Sequence, residues 1–298
     1  MQVVNEIGRA EEATNKVSEA ASAVDPQVTI NNHFEGSAGH WESIYDEATV
    51  YGRIYQDRMA MALEWIEQLR LPSAAHLLEI GCGAGFATAA LARRGYRVDA
   101  LDSVPAMTNL TSKRLAETGT AERVRIVLGD VRHLPMPNNS FDLVFALGVL
   151  PWLDDPVAAV REMARVTRPG GYVLVTADNS VHLDEILDPV RVPILRPLRH
   201  YLLSALRRAN MLPPAKELNR RHSRREFDSI ISDGGLDKLW SGTVGFGPFT
   251  LFWKRVLPDS TGIKVHRLLQ AAANRRLPVV SSYGMQYLVM ATKRASVG

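Results

Sequence analysis

Leu77-Leu78-Glu79-Ile80-Gly81-Cys82-Gly83-Ala84-Gly85 is the stretch that decides how this chain folds. Mostly apolar residues run straight into glycines at 81, 83 and 85, and a helix-forming segment, 86–94, follows. That order reads as a buried strand, a tight turn and a helix. Glycine at 81, 83 and 85 leaves those positions without β-carbons, so a ligand can lie against their peptide groups at the mouth of the helix. The pattern points to a nucleotide-like cofactor.

The same alternation continues downstream. Short apolar runs at 97–101, 124–128, 141–146 and 172–176 predict strands, with helices over 105–118 and 156–167 between them. Pro169-Gly170-Gly171 reads as a turn into the fifth strand. Continuous apolar strands alternating with amphipathic helices predict a parallel sheet covered on both faces, with the ligand outside the carboxyl ends of the strands. Upstream, 1–24 reads as a weak helix or disorder and 25–39 as a linker. Residues 41–69 read as one or two helices broken at Gly52. Ser223-Arg224-Arg225-Glu226 is a capping box that opens a helix running to Gly234-Gly235, and 239–246 and 286–292 predict the last strands.

Composition bounds the function. The 298 residues are 46% hydrophobic and 22% charged, ordinary for a globular chain. The single cysteine, Cys82, excludes an internal disulfide and reads as a small filler of the glycine turn. No run approaches the ~20 apolar residues of a membrane span, and the polar N-terminus lacks a signal-peptide core, so a cytoplasmic protein is expected. Between Arg191 and Arg225, nine arginines and one lysine face a single acid, Glu217; with +3 overall, the rest of the chain is net negative.

A glycine turn with an acid about twenty residues on suits either a nicotinamide dinucleotide or S-adenosylmethionine. Asp102 ends the second strand, where its oxygens can accept from both ribose hydroxyls. The third glycine comes one residue too early for a pyrophosphate turn. Glu79 in front of the turn suits an ammonium and a sulfonium rather than two phosphates. Asp130 after the third strand suits an adenine amino group.

Taken together, Glu79–Gly85, Leu101-Asp102-Ser103 with Met107, Gly129-Asp130-Val131, Ser140-Phe141-Asp142-Leu143-Val144 and Arg168-Pro169-Gly170-Gly171 resemble a class I S-adenosylmethionine-dependent methyltransferase. The branch is that of the ubiquinone and menaquinone methyltransferases and many small-molecule enzymes. The resemblance covers about residues 76–178. It implies an α/β, Rossmann-like, doubly wound and mostly parallel seven-stranded sheet, with helical cap insertions and an N-terminal helical lid. Segment by segment it implies an N-terminal helix or linker (1–40), lid helices (41–72), a core of 73–180 and 223–298, a basic cap insertion (181–222) and a second insertion (248–284). It also implies that S-adenosylmethionine, leaving as S-adenosylhomocysteine, is held by Glu79, Gly81, Gly83, Gly85, Asp102, Ser103, Met107, Asp130, Val131 and Leu147.

Methyl transfer from a sulfonium needs a base only when the acceptor loses a proton, so a missing catalytic dyad does not count against it. The candidates for such a role are His40, His182 and Tyr51; those for holding the acceptor are Tyr45, Arg53, Trp152 and Tyr201. Metal-assisted chemistry is not expected: Asp178-Asn179 fits half of that pattern, but 146–149 offer no acid. The polar-Pro-Pro-aromatic motif of amino-methylating DNA enzymes and the cysteine of cytosine-C5 enzymes are both missing there, so DNA is not an expected partner.

Residues 194–212 carry an apolar stripe backed by arginines, which suits an anionic membrane surface touched transiently, an amphiphilic or acidic substrate, or a solvated cap. With the aromatic start of the second insertion (Phe246, Phe249, Phe252, Trp253) it could wall a pocket for an apolar or amphiphilic small molecule. The acceptor atom (O, N or C) stays open, and a homodimer is allowed. Three alternatives remain: an RNA methyltransferase using the basic insertion, an NAD(P)-dependent oxidoreductase, and a non-catalytic binder that keeps the fold.

Overall fold

The computed structural model describes residues 25–189, 191–195, 201, 219–252 and 254–294. Its centre is a sheet in the order β3–β2–β1–β4–β5–β10–β7. These strands are β1 (His76–Ile80), β2 (Arg97–Asp102), β3 (Val124–Leu128), β4 (Phe141–Ala146), β5 (Thr167–Asn179), β7 (Leu236–Val244) and β10 (Gln286–Lys293). The two-residue β6 (Arg221–His222) adds to the end of β5, and β8 (Thr250–Leu251) and β9 (Lys254–Arg255) make a separate hairpin. The first five strands run parallel, and β10 slots antiparallel between β5 and β7. The chain leaves β1 toward β2 and β3, then returns to β4 and β5. Its switch point therefore lies between β1 and β4, where a crevice opens.

Adjacent strand residues face opposite layers, so Leu77 and Leu78 seed two cores. Leu78, Ile80, Val144, Val173 and Val289 pack with Ala159, Val160 and Met163 of α6 (Pro156–Val166) and with Phe227 and Ile230 of α8 (Arg224–Asp233). On the other face Leu77, Phe145, Leu174 and Met290 pack with Ala62 and Ile66 of α3 (Val50–Gln68) and Leu91 of α4 (Phe86–Arg93). Pro156 follows the Asp155 N-cap of α6, and Pro105 opens α5 (Pro105–Thr118), where the missing N–H costs nothing. The capping box of α8 forms, with Ser223 N–H donating to Glu226 and Glu226 N–H to the Ser223 hydroxyl.

Several expected boundaries shift, each for a local reason. The segment read as a linker, 25–39, holds helix α1 (Pro26–Gly36) and the start of α2 (Ala38–Ser43). Asp25 accepts from Gln27 N–H and Pro26 supplies the first turn, a start signal outweighed in the sequence by the surrounding Asn, Gly and Ser. The break in the 41–69 segment falls before Gly52: Thr49 caps α3, and a β-carbon at 52 would stand 2.8 Å from the Ile44 carbonyl. Strand β5 begins at Thr167 rather than 172. Phe141 pairs with Thr167 but Leu143 with Tyr172, so Pro169-Gly170-Gly171 is a bulge inside the strand. Strand β7 starts at Leu236, directly after Gly234-Gly235, because Leu236 is buried in the first core. Residues 1–24 and most of the basic stripe 194–212 lie outside the described residues. Among the described residues no helix is long and apolar enough to cross a membrane.

Candidate active site

At the switch point the carboxyl ends of β1, β2, β3 and β4 surround a cleft of about 1340 Å³, part of it open to solvent. Its floor is 79–84, 101–104, 129–131 and 147–149; its roof is Gln27, Ile30, Asn31 and Phe34 of α1, then Trp41, Tyr45, and Tyr55, Arg58 and Met59 of α3.

The glycine turn is built as its spacing requires. Gly81, Gly83 and Gly85 all have positive φ, the region that excludes most side chains. Around Gly83 a β-carbon would meet nothing within 4 Å, so this part of the floor is an open cradle. Asp102, 8% exposed at the tip of β2, ties the turn to the next strand: it accepts from Gly83 N–H at 3.0 Å and Val104 N–H at 3.0 Å. Burial raises its pKa while the backbone amides oppose the rise. Glu79 is buried beneath, accepting from the Thr88 hydroxyl, and burial pushes it up to about 8, helped by the negative Asp102. Cys82 is buried against Thr111, and burial raises its thiol pKa, which leaves it a packed thiol.

Ser103, Met107, Asp130, Val131 and Leu147 also line the cleft. Ser103 donates to Asn31 on α1 at 3.1 Å. Asp130 is already engaged: Arg132 N–H and its guanidinium both reach the carboxylate at 2.8 Å. Arg132 also reaches Asp25, the cap of α1, at 3.1 Å, so one arginine joins the β3 rim to the roof. Glu35 accepting from Ala106 N–H and Glu42 pairing with Lys113 complete a polar latch. Arg132→Ala should therefore speed amide hydrogen exchange over 26–36 and leave β1–β4 unchanged; equal protection would dismiss the latch.

Gly85 is not on the cleft wall. It caps α4, and its missing β-carbon lets Thr111 of α5 approach, 3.0 Å from where that atom would be. Its task is helix packing. Tyr45 and Trp152 line the cleft; Trp152 lies in an aromatic roof with His33 and Phe34. Arg53 does not: it pairs with Asp57 at 2.7 Å along α3. His40 packs edge-on against Trp41 and does not reach the cleft lining. Tyr201 is 70% exposed and also apart from the lining.

His182 and Tyr51 fall in a second, smaller cavity behind Tyr55, Asp178 and Gln286. His182, just before the short helix α7 (Leu183–Leu187), is buried there in a charge network with Asp184, Glu185 and Arg221, which fixes the start of the 181–222 segment rather than facing the cleft. The aromatic start of the second insertion does not wall the cleft. Phe246 and Phe249 are buried against Leu257, Val265 and Leu269, as that segment forms its own helix, α9 (Asp259–Asn274), and needs its own core. His266 of α9 then bonds Asp57 at 2.8 Å and accepts from Phe246 N–H. Asn179 donates to the carbonyls of Ser282 and Gly284, holding the approach to β10.

Sequence reasoning missed the β5 side of the cleft. Asp178 accepts from Gln286 at 3.2 Å and Asn219 at 3.1 Å, and Arg58 stands in the roof nearby. Arg58 was findable: it falls on the stripe Ile54, Arg58, Ala62, Ile66, four apart, where a charge among apolar residues asks for an explanation.

Similarity to known proteins agrees with this geometry. The family described as "Methyltransferase domain" matches residues 78–175. A malonyl-[acyl-carrier protein] O-methyltransferase of Halorhodospira halophila is 36% identical over 160 residues, 53% of this chain and 50% of that protein. The protein of the same name from Serratia marcescens is 37% identical over 112 residues, 38% of this chain and 42% of its own. The chain thus spans about half the length of the relatives it matches. Magnesium protoporphyrin IX methyltransferase from Synechocystis, solved with S-adenosylhomocysteine bound, superposes with a TM-score of 0.61 over 90% of this chain and all of its own, at 13% identity, which speaks to the fold. Over residues 78–175 this chain is thus similar to methyltransferase domains, and its fold is that of a methyltransferase solved with S-adenosylhomocysteine bound.

Proposed function

We propose that this protein transfers the methyl group of S-adenosylmethionine to a small apolar or amphiphilic molecule. The observation that carries the reading is Asp102: a buried carboxylate at the β2 tip, bonded to the glycine turn and lining the cleft at the switch point. The residues fit the cofactor. Gly83 leaves an open cradle, Asp102 keeps acceptor capacity beyond its two backbone bonds, and Glu79 lies below the turn where an ammonium would be welcome. Bound there, S-adenosylmethionine would supply a methyl group already activated on sulfur.

What the chain's residues add is position and an apolar surface. Tyr45, Tyr55, Phe34, Trp41, Phe86 and Trp152 give the cleft an aromatic wall suited to an apolar acceptor body. Holding two reactants in line can lower the barrier by about 7–11 kcal/mol without any base. Helix α1 covers part of the cleft and is held there by its polar latch. The names of the relatives make acids and thioesters borne on an acyl carrier a reasonable first acceptor class.

The test is to incubate the protein with methyl-labelled S-adenosylmethionine, then with organic extracts and acyl-carrier conjugates, and identify what becomes labelled. Label in an extractable small molecule is expected. Label only in RNA, or none in the presence of demonstrated cofactor binding, would refute the assignment.

A further inference from the structure

The β8–β9 hairpin puts bulky residues where a turn asks for small ones. Leu251 pairs with Lys254, so a two-residue link closes the hairpin, and the sequence fills it with Phe252 and Trp253. Such links need positive φ and ordinarily use Asn-Gly or another glycine pair. Phe252 has φ 49 and is 61% exposed. A bulky side chain in that region is strained, and it persists because buried Asp188 clamps the tip. The Asp188 carboxylate accepts from Phe252 N–H at 3.1 Å and from the Thr250 hydroxyl at 2.7 Å. Val279, beyond α9, repeats the pattern. It stands at φ 70 in a turn closed by Val280 N–H donating to the Pro278 carbonyl at 2.8 Å, and it is 65% exposed.

The surroundings are cationic. Between Thr250 and Arg276 six lysines and arginines face one acid, Asp259, which Arg255 approaches at 3.7 Å. Lys254, Lys264, Arg267, Arg275 and Arg276 are exposed, and among the described residues none of them has an ion-pair partner. Helix α9 turns His266, Gln270 and Ala273 inward. Lys264, Arg267, Leu268, Ala271 and Arg275 recur at helical spacing on its outer side, with Leu268 73% exposed.

A protein interface gathers its apolar residues in a core and sets charges at the rim. Here exposed apolar side chains and cations are interleaved, the mixture that suits anionic headgroups lying over hydrocarbon. A second copy of this chain would bring the same cations face to face. We propose that the hairpin tip, α9 and the turn after it dock on an anionic membrane surface. Phe252 enters the boundary between headgroups and acyl chains, and Lys254, Arg255, Lys264, Arg267 and Arg275 meet lipid phosphates. The docking stands on this surface alone and does not depend on the chemistry of the cleft.

Flotation of the full chain with vesicles tests it, equal parts phosphatidylglycerol and phosphatidylcholine against phosphatidylcholine alone. Wild type is expected to float with the anionic vesicles, less so as salt rises, and not with the neutral ones. Phe252→Gly suits the positive φ, so its Tm should hold or rise, while vesicle affinity falls about tenfold or more with the lost apolar burial. A Phe252 that served only the fold would lower the Tm on replacement and leave flotation alone. Lys264→Glu together with Arg267→Glu reverses charge at exposed positions and should abolish the preference for anionic vesicles at unchanged Tm. No flotation of wild type, equal flotation with neutral vesicles, or flotation that either variant leaves unchanged overturns the proposal. The last of these would move the contact elsewhere in the chain, first to the arginine stripe at 194–212. Tighter retention on RNA or on an acidic carrier protein, undiminished in Phe252→Gly, assigns these cations to that partner and overturns the proposal too.

Discussion

Asp102→Ala will bind S-adenosylhomocysteine about a hundredfold or more weakly than wild type in calorimetry. The carboxylate does two jobs at once. It stands at the cleft with acceptor capacity for ligand hydroxyls, and each hydrogen bond to a charged group contributes about 1.5–3 kcal/mol. It also accepts from Gly83 in the turn and from Val104 after β2, so alanine would leave both amides without this partner. Melting should therefore fall by an amount corresponding to about 1–3 kcal/mol. Asp102→Asn keeps one acceptor oxygen and should rescue most of the stability but little of the binding. A variant that loses stability yet binds S-adenosylhomocysteine as wild type does would confine Asp102 to holding the turn.

The second large effect concerns pH. Glu79 has a pKa of about 8 in the folded chain against 4.5 when free, chiefly because burial penalises its charged form. Below 4.5 both states hold the proton and the group does not affect stability. As pH rises from there to 8, the unfolded chain releases the proton and the folded chain does not, so stability drains away across this window. The total is of the order of a few kcal/mol. Glu79→Gln removes the titration, so its melting curve at pH 8 should lie above that of wild type while the two converge near pH 4. Coinciding curves at pH 8 would mean that Glu79 is already ionised in the fold. The same group makes binding pH-dependent: a ligand ammonium over Glu79 favours the charged form. Below pH 8, S-adenosylhomocysteine should release up to one proton, read as calorimetric heats that differ between buffers, and Glu79→Gln should abolish the difference.

The frame of the molecule was legible in the sequence because it rests on short-range rules. β1, β2 and β4 are covered on both faces and read as apolar runs, and the glycine turn requires glycines at 81, 83 and 85 wherever the chain goes next. From these the alternation of strands and helices and the place of the cleft follow. Less legible was whatever depends on partners distant in sequence. Helix α1 has few apolar residues and is held by Ser103, Arg132 and the Ala106 amide, so its own stretch looks like a linker. Gly85 shares a motif with Gly81 and Gly83, yet its neighbour is Thr111. Phe246 and Phe249 looked like pocket walls until α9 supplied another surface to cover. Arg58 and Asp178 meet only when α3 folds over the end of β5, which no local pattern announces.

The most direct measurement is equilibrium dialysis of the full chain against labelled S-adenosylhomocysteine, with NADH as competitor. One molecule bound per chain, saturable and undisturbed by NADH, is the expected result. Displacement by NADH, or no saturable binding at all, would contradict the assignment of the cleft between β1 and β4.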